Sequence, residues 1–228
     1  MILPKKTLRS ERLEQTVRTL CTLVEAQIEK NSGWFSNEHS LRKELVACIL
    51  GSQVRFEAAT FALSRLEEEG LLHDGWWVRQ ESGGFEERVF RVLSQGYRFP
   101  KVRAYQLEKV RGRLASQSLT ERMQATDDSR VLRRTLVQEL PGLGPKQASM
   151  FLRNIGLSHD LAILDTHVLQ FLEMQVRIRV KRARIGTMPG YEEVEEVAKD
   201  YAKSLGYPVG HLDWAIWATM KAAKELRL

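Results

Sequence analysis

An all-α protein is what this sequence predicts, on three observations. Apolar residues recur at three- and four-residue steps along most of the chain, the spacing of a helix face and not of a pleated strand. The periodic stretches are separated by stops rich in glycine, proline, asparagine and serine. Nowhere does a run of several alternating strand patterns appear.

Taken in order, the first helix is expected to have Ser10 as its cap, to carry Leu13, Val17, Leu20, Val24 and Ile28 inward, and to end near Asn31-Ser32-Gly33. A second starts around Asn37, carries Leu41, Leu45, Cys48 and Ile49, and ends near Gly51-Ser52-Gln53. A third runs from about Arg55 to Glu69 with Ala59, Ala62, Leu63 and Leu66 inward, and Gly70 stops it. Trp76-Trp77 through Gly83-Gly84 reads as a loop. A short helix with Phe85, Val89 and Leu93 leads through a turn at Gln95–Pro100 into a basic helix from about Lys101 to Leu114. Thr126-Asp127-Asp128 has the acidic chemistry of a helix start, Val131 to Leu140 forms the first arm of a hairpin, and Pro145 to about Ile155 the second, with Gly156 as its stop. Asp165 can cap a helix through His167, Val168, Phe171 and Leu172. Residues 176–185 alternate briefly, which allows a short extended segment closed by Met188-Pro189-Gly190. The last two helices are Tyr191 to Leu205, with Val194, Val197, Ala198 and Tyr201 on one face, and His211 to about Leu226. No internal repeat or low-complexity segment is present.

With 43% hydrophobic residues in 228, the chain can bury one compact core or two smaller ones. Thirty-five Lys and Arg against 29 Asp and Glu give a formal charge of +6, which suits a polyanionic partner such as nucleic acid without requiring one. Two cysteines, Cys21 and Cys48, exclude by number a disulfide framework, a four-cysteine zinc site and a four-cysteine iron–sulfur cluster. They read as buried thiols in a reducing compartment. None of His39, His73, His159, His167 and His211 has metal-ligand spacing, so no metal site is expected. Residues 1–30 lack the apolar core of a secretory signal and no window approaches a membrane-spanning length. The expectation is a soluble, intracellular protein with no membrane partner.

The chain is organised around Leu140-Pro141-Gly142-Leu143-Gly144-Pro145-Lys146, followed by Asp165-Thr166-His167. Pro141-Gly142 and Gly144-Pro145 are turn dipeptides whose glycines accept positive φ, and Pro145 suits the first position of a new helix. Lys146 then falls in the first helical turn, where the positive end of the helix dipole favours the neutral amine, a nucleophile. Backbone N–H groups at Leu143, Gly144 and their neighbour Gly142, aimed outward at a helix start, make a sequence-independent phosphate grip. A lysine beside a glycine hairpin also serves as a plain phosphate contact, and Asp165 as an ordinary helix cap. Capping and catalysis can coexist in one carboxylate. For His167, local packing or hydrogen bonding is the better reading.

Together, Leu140–Ala148 and Leu161-Ala162-Ile163-Leu164-Asp165-Thr166-His167-Val168 resemble the helix-hairpin-helix plus Gly/Pro…Asp signature of the endonuclease III superfamily of DNA glycosylases. In that superfamily a lysine at the Lys146 position and an aspartate at the Asp165 position, here 19 residues apart, mark the bifunctional glycosylase/lyases. Within it, Gly144–Gly156, Ala162–Asp165, Gly96-Tyr97-Arg98-Phe99-Pro100-Lys101-Val102-Arg103-Ala104 and Leu212-Asp213-Trp214-Ala215-Ile216-Trp217 are similar to the archaeal-type 8-oxoguanine DNA glycosylase/lyase family, also found in some bacteria. The resemblance runs from about residue 40 to the end. Two departures stand out: Asp-Thr-His replaces that branch's more usual Asp-Arg-His or Asp-Lys-His, and the chain ends at Leu228 where the branch ends in a lysine that helps recognise the oxidised guanine.

The resemblance implies a two-lobed all-α enzyme. Residues 1–33 with 160–228 would form one helical lobe, and residues 34–159 a helical barrel containing the hairpin at about 129–156, with an active-site cleft between them that brings Lys146 and Asp165 together. It implies base-excision repair of damaged DNA by a monomer in the cytoplasm, nucleoid-associated in a prokaryote. No cofactor would be required, and a monovalent cation would bridge hairpin carbonyls and phosphate. Lys146 would attack the deoxyribose C1′ as the base leaves, forming a Schiff base that permits β-elimination, while Asp165 holds the lysine, relays protons and stabilises positive charge on the sugar. Gln53 is the candidate for filling the gap left by the extruded base, and Phe99, Trp214 and Trp217 for stacking on that base. Gly142, Leu143, Gly144 and Arg153 join Gln53 as candidate DNA contacts. Gln53 also reads as an ordinary helix end, the aromatic residues as core, and the basic runs Lys101/Arg103/Lys109/Arg111/Arg113 and Arg177 to Arg184 as solvated faces. Two other functions fit the residues: a glycosylase/lyase for another lesion, an oxidised pyrimidine or a mismatched base, and a non-catalytic helix-hairpin-helix DNA-binding module.

Overall fold

In the computed structural model, which describes residues 8–30, 37–77, 84–181 and 184–225, every regular element is helical. The chain forms two compact units: Gly33–Leu157, and Met1–Ser32 with Ser158–Leu228.

The unit Gly33–Leu157 contains α2 (Glu38–Leu50), α3 (Phe56–Glu68), α4 (Asp74–Trp77), α5 (Phe85–Leu93), α6 (Pro100–Leu114), α7 (Leu119–Met123), α8 (Ser129–Glu139) and α9 (Pro145–Asn154). Its centre is α2, which packs against α3, α6, α7 and α9. That placement follows from the second half of the helix, Leu45–Leu50, which is apolar on all sides; Leu41, Leu45, Val46, Cys48, Ile49 and Leu50 are all fully buried. Asn37 caps it, accepting the Ser40 N–H at 3.2 Å. The carboxylate of Glu38, in its first turn, caps α7 as well, taking the N–H groups of Leu119 and Thr120 at 2.9 and 3.0 Å. Arg42, only 2% exposed, donates to the Leu72 carbonyl at 2.9 Å and Asp74 Oδ1 at 2.8 Å, with its guanidinium 5.5 Å from the Trp77 ring centre. Arg42 thereby holds the Asp74 carboxyl below the usual carboxylate range.

The other unit contains α1 (Leu8–Lys30), α10 (Thr166–Val176), a short 3-10 turn (Arg184–Gly186), α11 (Met188–Leu205) and α12 (Val209–Glu225). α12 packs against α1, α10 and α11. Val17, Cys21, Phe171, Leu172, Val194, Ala198, Leu212, Ala215 and Ile216 are among its buried core. The Tyr201 hydroxyl donates to Glu14 Oε2 at 2.7 Å, tying α11 to α1. Gly190 lies so close to Arg184 that a Cβ there would collide with the Arg184 carbonyl.

The all-α expectation holds, with local corrections. Ser10 lies inside α1, not at its cap: it is buried, and its carbonyl accepts Gln175 Nε2 at 2.7 Å, a tertiary tie that outweighs the capping preference. Trp76-Trp77 belongs to the short α4; Trp77 is buried, with its ring nitrogen donating to the Leu71 carbonyl at 2.8 Å. The five-residue α7 has no counterpart in the sequence reading. Residues 177–181 are irregular and form no strand, since no neighbouring strand exists among the described residues to pair with them. The expected end of α1 at Asn31-Ser32-Gly33, the Ile28 side chain, residues 78–83 and 182–183, and Leu226–Leu228 lie outside what the structure describes. Among the described residues no helix is long and apolar enough to cross a membrane.

Arg42→Leu keeps most of the buried volume but leaves the Leu72 carbonyl without its donor. The expected loss is about 2 kcal/mol of unfolding free energy. Urea denaturation at neutral pH measures it, and a loss near zero would mean the Arg42 bonds contribute nothing net.

Candidate active site and nucleic-acid interface

The hairpin begins with Asp128, whose carboxylate accepts the N–H groups of Arg130 and Val131 at 2.8 and 3.1 Å and so starts α8. Leu140 and Leu143 are buried and pin the turn from inside. Between them Gly142 takes φ +91°. A Cβ there would lie 2.8 Å from Gln106 Oε1 and 3.2 Å from Ile49 Cγ2. Glycine is thus required by conformation, and a Cβ would also displace the end of the Gln106 side chain and press on Ile49. The Leu143 N–H bonds the Leu140 carbonyl at 3.2 Å. Gly144 is the N-cap of α9 and makes no side-chain capping bond, so the first N–H groups of α9 have no side-chain acceptor at their cap. Lys146, half-buried, sits at the second position of that helix.

Arg133, fully buried, joins the two arms by donating to Ser149 Oγ at 3.1 Å, while Ser149 donates to the Pro145 carbonyl at 3.0 Å. At the far end of α9, Asn154 Oδ1 accepts from Arg153 Nε and Nη2 at 3.2 and 3.0 Å, and Asn154 Nδ2 donates to Glu44 Oε1 at 2.7 Å. Burial pushes the Glu44 carboxyl up, against the lowering effect of the Asn154 and Cys48 bonds and the Arg153 charge. The Cys48 thiol is pushed well up, first by burial and then by Glu44, with Arg153 and Lys146 opposing. A buried thiol of that kind is inert.

Gln53 follows α2 on an exposed turn and takes φ +63°, one of two non-glycine residues with positive φ among those described. Such a conformation persists only where the surroundings impose it. Arg98 Nη1 donates to the Gln53 carbonyl at 3.4 Å, a long bond, and its guanidinium lies 4.8 Å from the Phe99 ring centre. Phe99 is half-buried at the start of α6. The structure therefore gathers Gln53 and Phe99 at the end of α2 and the start of α6, with the Gly142 turn reached through Gln106 midway along α6. Within the basic run on α6, Arg103 is buried and Arg111 pairs with Glu108 at 2.7 Å, so these two do not belong to a solvated face.

In the other unit, Asp165 is the N-cap of α10, and its Oδ1 accepts the N–H groups of His167 and Val168, both at 2.8 Å. The buried segment before it is held by side chains: Ala162 N–H to Glu195 Oε1 at 2.8 Å, Ile163 N–H to Asp213 Oδ2 at 2.8 Å, and Leu164 N–H to the Tyr191 hydroxyl at 3.0 Å. Trp214 and Trp217 share the half-buried face of α12, one turn apart, and the Lys221 ammonium lies 5.1 Å from the Trp217 ring centre. Asp213 thus connects α12 to the segment that ends in Asp165. Glu195, Asp213, Tyr191, Arg103 and Gln106 escaped the reading by sequence. Their one signal was a charged or polar residue within an otherwise apolar helical face. Among the described residues, no group of three or more His, Cys, Asp or Glu side chains could hold a metal ion.

The family model described as 8-oxoguanine DNA glycosylase matches residues 24–207. The chain is 32% identical to the 8-oxoguanine DNA glycosylase/AP lyase of Metallosphaera sedula over 225 residues, 96% of this chain and 99% of that protein. Among solved structures it is similar to the 8-oxoguanine DNA glycosylase of Thermotoga maritima, with a TM-score of 0.74 and 28% identity over 91% of this chain and 93% of that one. It also shares the fold of the Methanocaldococcus jannaschii 8-oxoguanine glycosylase/lyase solved in complex with a 15mer DNA containing 8-oxoguanine (TM-score 0.73, 22% identity, 92% of this chain and 96% of that one).

Two outcomes follow from the geometry. Gly142→Ala forces a Cβ into positive φ against Gln106 and is expected to lower unfolding free energy by about 1–2 kcal/mol, read by urea denaturation; an unchanged midpoint would refute the close approach. Because burial raises the Glu44 carboxyl, the native state holds that proton more tightly than the unfolded chain does, so its contribution is full at acid pH and is lost as pH rises from 4.5 through the folded value. Glu44→Gln is therefore expected to gain thermal stability relative to the parent as pH rises, and parallel profiles would contradict this.

Proposed function

Because the chain belongs to the 8-oxoguanine DNA glycosylase family, we propose that it excises 8-oxoguanine from DNA and cleaves the strand at the resulting abasic site, with Lys146 as nucleophile. The observation that carries the reading is the lysine in the first turn of α9, directly beyond a close-packed glycine turn, in a chain that matches a glycosylase/lyase relative over 99% of that protein's length.

The damaged nucleotide is rotated out of the duplex, since its glycosidic bond is inaccessible inside the stack. As the bond from C1′ to the base nitrogen breaks, the base leaves with the electron pair and takes up a proton. The Lys146 amine bonds to C1′ in its place through its nitrogen lone pair, and opening of the sugar, whose ring oxygen takes a proton from that nitrogen, gives a protonated Schiff base. Loss of a proton from C2′ then expels the 3′ phosphate, and water hydrolyses the Schiff base to return the lysine. The Asp165 carboxylate stabilises positive charge on the sugar and relays protons to and from the lysine. None of these steps needs a redox or Lewis-acid group, so no cofactor is required for them. The backbone N–H groups of Gly142, Leu143 and Gly144 grip a DNA phosphate, with Arg153 in the last turn of α9 as a further phosphate contact; a monovalent cation would be held by carbonyls of the hairpin turn and would add positive charge there. Phe99, Trp214 and Trp217 stack on the extruded base, and Gln53 fills the gap it leaves. The enzyme acts as a monomer in the cytoplasm.

The test is borohydride reduction with 8-oxoguanine duplex. The parent chain is expected to form a covalent adduct, Lys146→Gln to bind DNA without forming one, and Asp165→Asn to excise about 100-fold more slowly. An adduct that survives Lys146→Gln would assign the nucleophile elsewhere. Excision of an oxidised pyrimidine in preference to 8-oxoguanine would move the substrate to another lesion.

A further inference from the structure

The turn that carries Gln53 is held by one neighbouring segment. At its start, the Tyr97 hydroxyl donates to the Leu50 carbonyl at 2.5 Å; one bond further on, Arg103 Nη2 donates to the Ser52 carbonyl at 2.9 Å; and Arg98 reaches the Gln53 carbonyl itself. Of these, Arg103 is 6% exposed and has a second bond, from Nη1 to Gln106 Oε1 at 2.6 Å. That same Gln106 oxygen lies against Gly142, where a Cβ would meet it at 2.8 Å. One buried guanidinium therefore bridges the turn of Gln53 and the side chain on which the hairpin glycine rests. The two acceptors are taken by the two separate Nη atoms of a planar fork, which a lysine ammonium, with its donors on one nitrogen, does not match.

We propose that Arg103 is a positioning residue for base extrusion, which fixes the Gln53 turn and ties it through Gln106 to the phosphate-gripping hairpin, so that the two engage DNA as one rigid surface. This rests on the glycosylase reading above. Arg103 touches neither base nor sugar. Its effect passes through Gln53, and it is needed only when a base must be driven out of a stacked duplex.

The experiment compares single-turnover excision of 8-oxoguanine from a matched duplex and from single-stranded DNA, which has no partner strand to displace, for the parent chain and for Arg103→Met, Arg103→Lys and Gln106→Ala. Arg103→Met is expected to lose about tenfold or more on duplex and no more than about twofold on single strand, with Arg103→Lys recovering part of the duplex loss. In a Gln53→Ala background the further effect of Arg103→Met should shrink to about twofold, as for two residues acting through one step. Gln106→Ala leaves Arg103 and its Ser52 bond in place, and is expected to show the same duplex-selective loss should Arg103→Met fold poorly. Equal losses on duplex and single strand, or losses that multiply with Gln53→Ala, would overturn the role of Arg103 while leaving the glycosylase reading intact. A parent chain that excises no 8-oxoguanine and forms no borohydride adduct would overturn both.

Discussion

At Gly142 the hairpin turn, in a positive-φ conformation, packs against Ile49 near the end of α2 and Gln106 midway along α6, and the direction in which α9 leaves the turn depends on that contact. The turn cannot rock, because Leu140 and Leu143 are buried on either side of the glycine, each side chain contributing about 1.5–3 kcal/mol by leaving water. Arg133 and Ser149 then set the two arms against each other by a bond that neither arm could make alone. The first turn of α9 consequently leaves the hairpin in a fixed direction, and Lys146 with it. A phosphate grip built from backbone needs this rigidity, since N–H groups on a flexible loop would have to be ordered anew by each ligand at about 1–2 kcal/mol per residue.

The other unit delivers a carboxylate by a different construction. Ala162, Ile163 and Leu164 form a buried, irregular segment with no neighbouring strand among the described residues, so their N–H groups would be left without partners at a cost of about 1–3 kcal/mol each. Glu195, Tyr191 and Asp213, from α11 and α12, supply the acceptors one by one. The Tyr191 hydroxyl also donates to the Ala162 carbonyl at 2.8 Å, which closes the network on itself. Asp165 follows directly, and both of its capping bonds use Oδ1. Two buried acidic residues and a tyrosine thus fix the path of the chain up to Asp165, and the α12 that supplies one of them also carries Trp214 and Trp217.

The hairpin was legible in the sequence because glycine and proline restrict φ at particular positions: Gly142 takes positive φ, and Pro145 opens α9. Asp165 was legible as a cap for the same local reason, two N–H groups within three residues. α2 could be read from Leu41, Leu45, Cys48 and Ile49 because periodic burial is a local pattern. What stayed hidden depends on partners far along the chain. Hydropathy assigns Arg42, Arg103, Glu195 and Asp213 to a solvated surface, yet all four are buried against acceptors or donors 30 or more residues away. The short α7 belongs to the same class, since one of its caps is Glu38, 81 residues earlier. Trp77 looked like loop because the carbonyl that binds its ring nitrogen, Leu71, lies before the helix start and outside any helical period. Ser10 failed in the opposite sense: its capping chemistry is real, but a tertiary bond from Gln175 uses its carbonyl inside the helix.

Energetically, the Gln53 turn shows why such distant ties are retained. A non-glycine residue with positive φ costs about 1–3 kcal/mol and would relax if released. The Tyr97 bond returns about 1 kcal/mol and the charged Arg103 bond about 1.5–3. The left-handed turn therefore exists before DNA arrives, and a residue inserted from it loses little further backbone freedom on entering the duplex. A relaxed turn would have to pass through the same conformation at the moment of extrusion, adding its cost to the few kcal/mol already needed to unstack and unpair the base. On the proposed reading, strain held in the free protein by donors from the turn before α6 and from α6 itself lowers the extrusion step that precedes chemistry at Lys146.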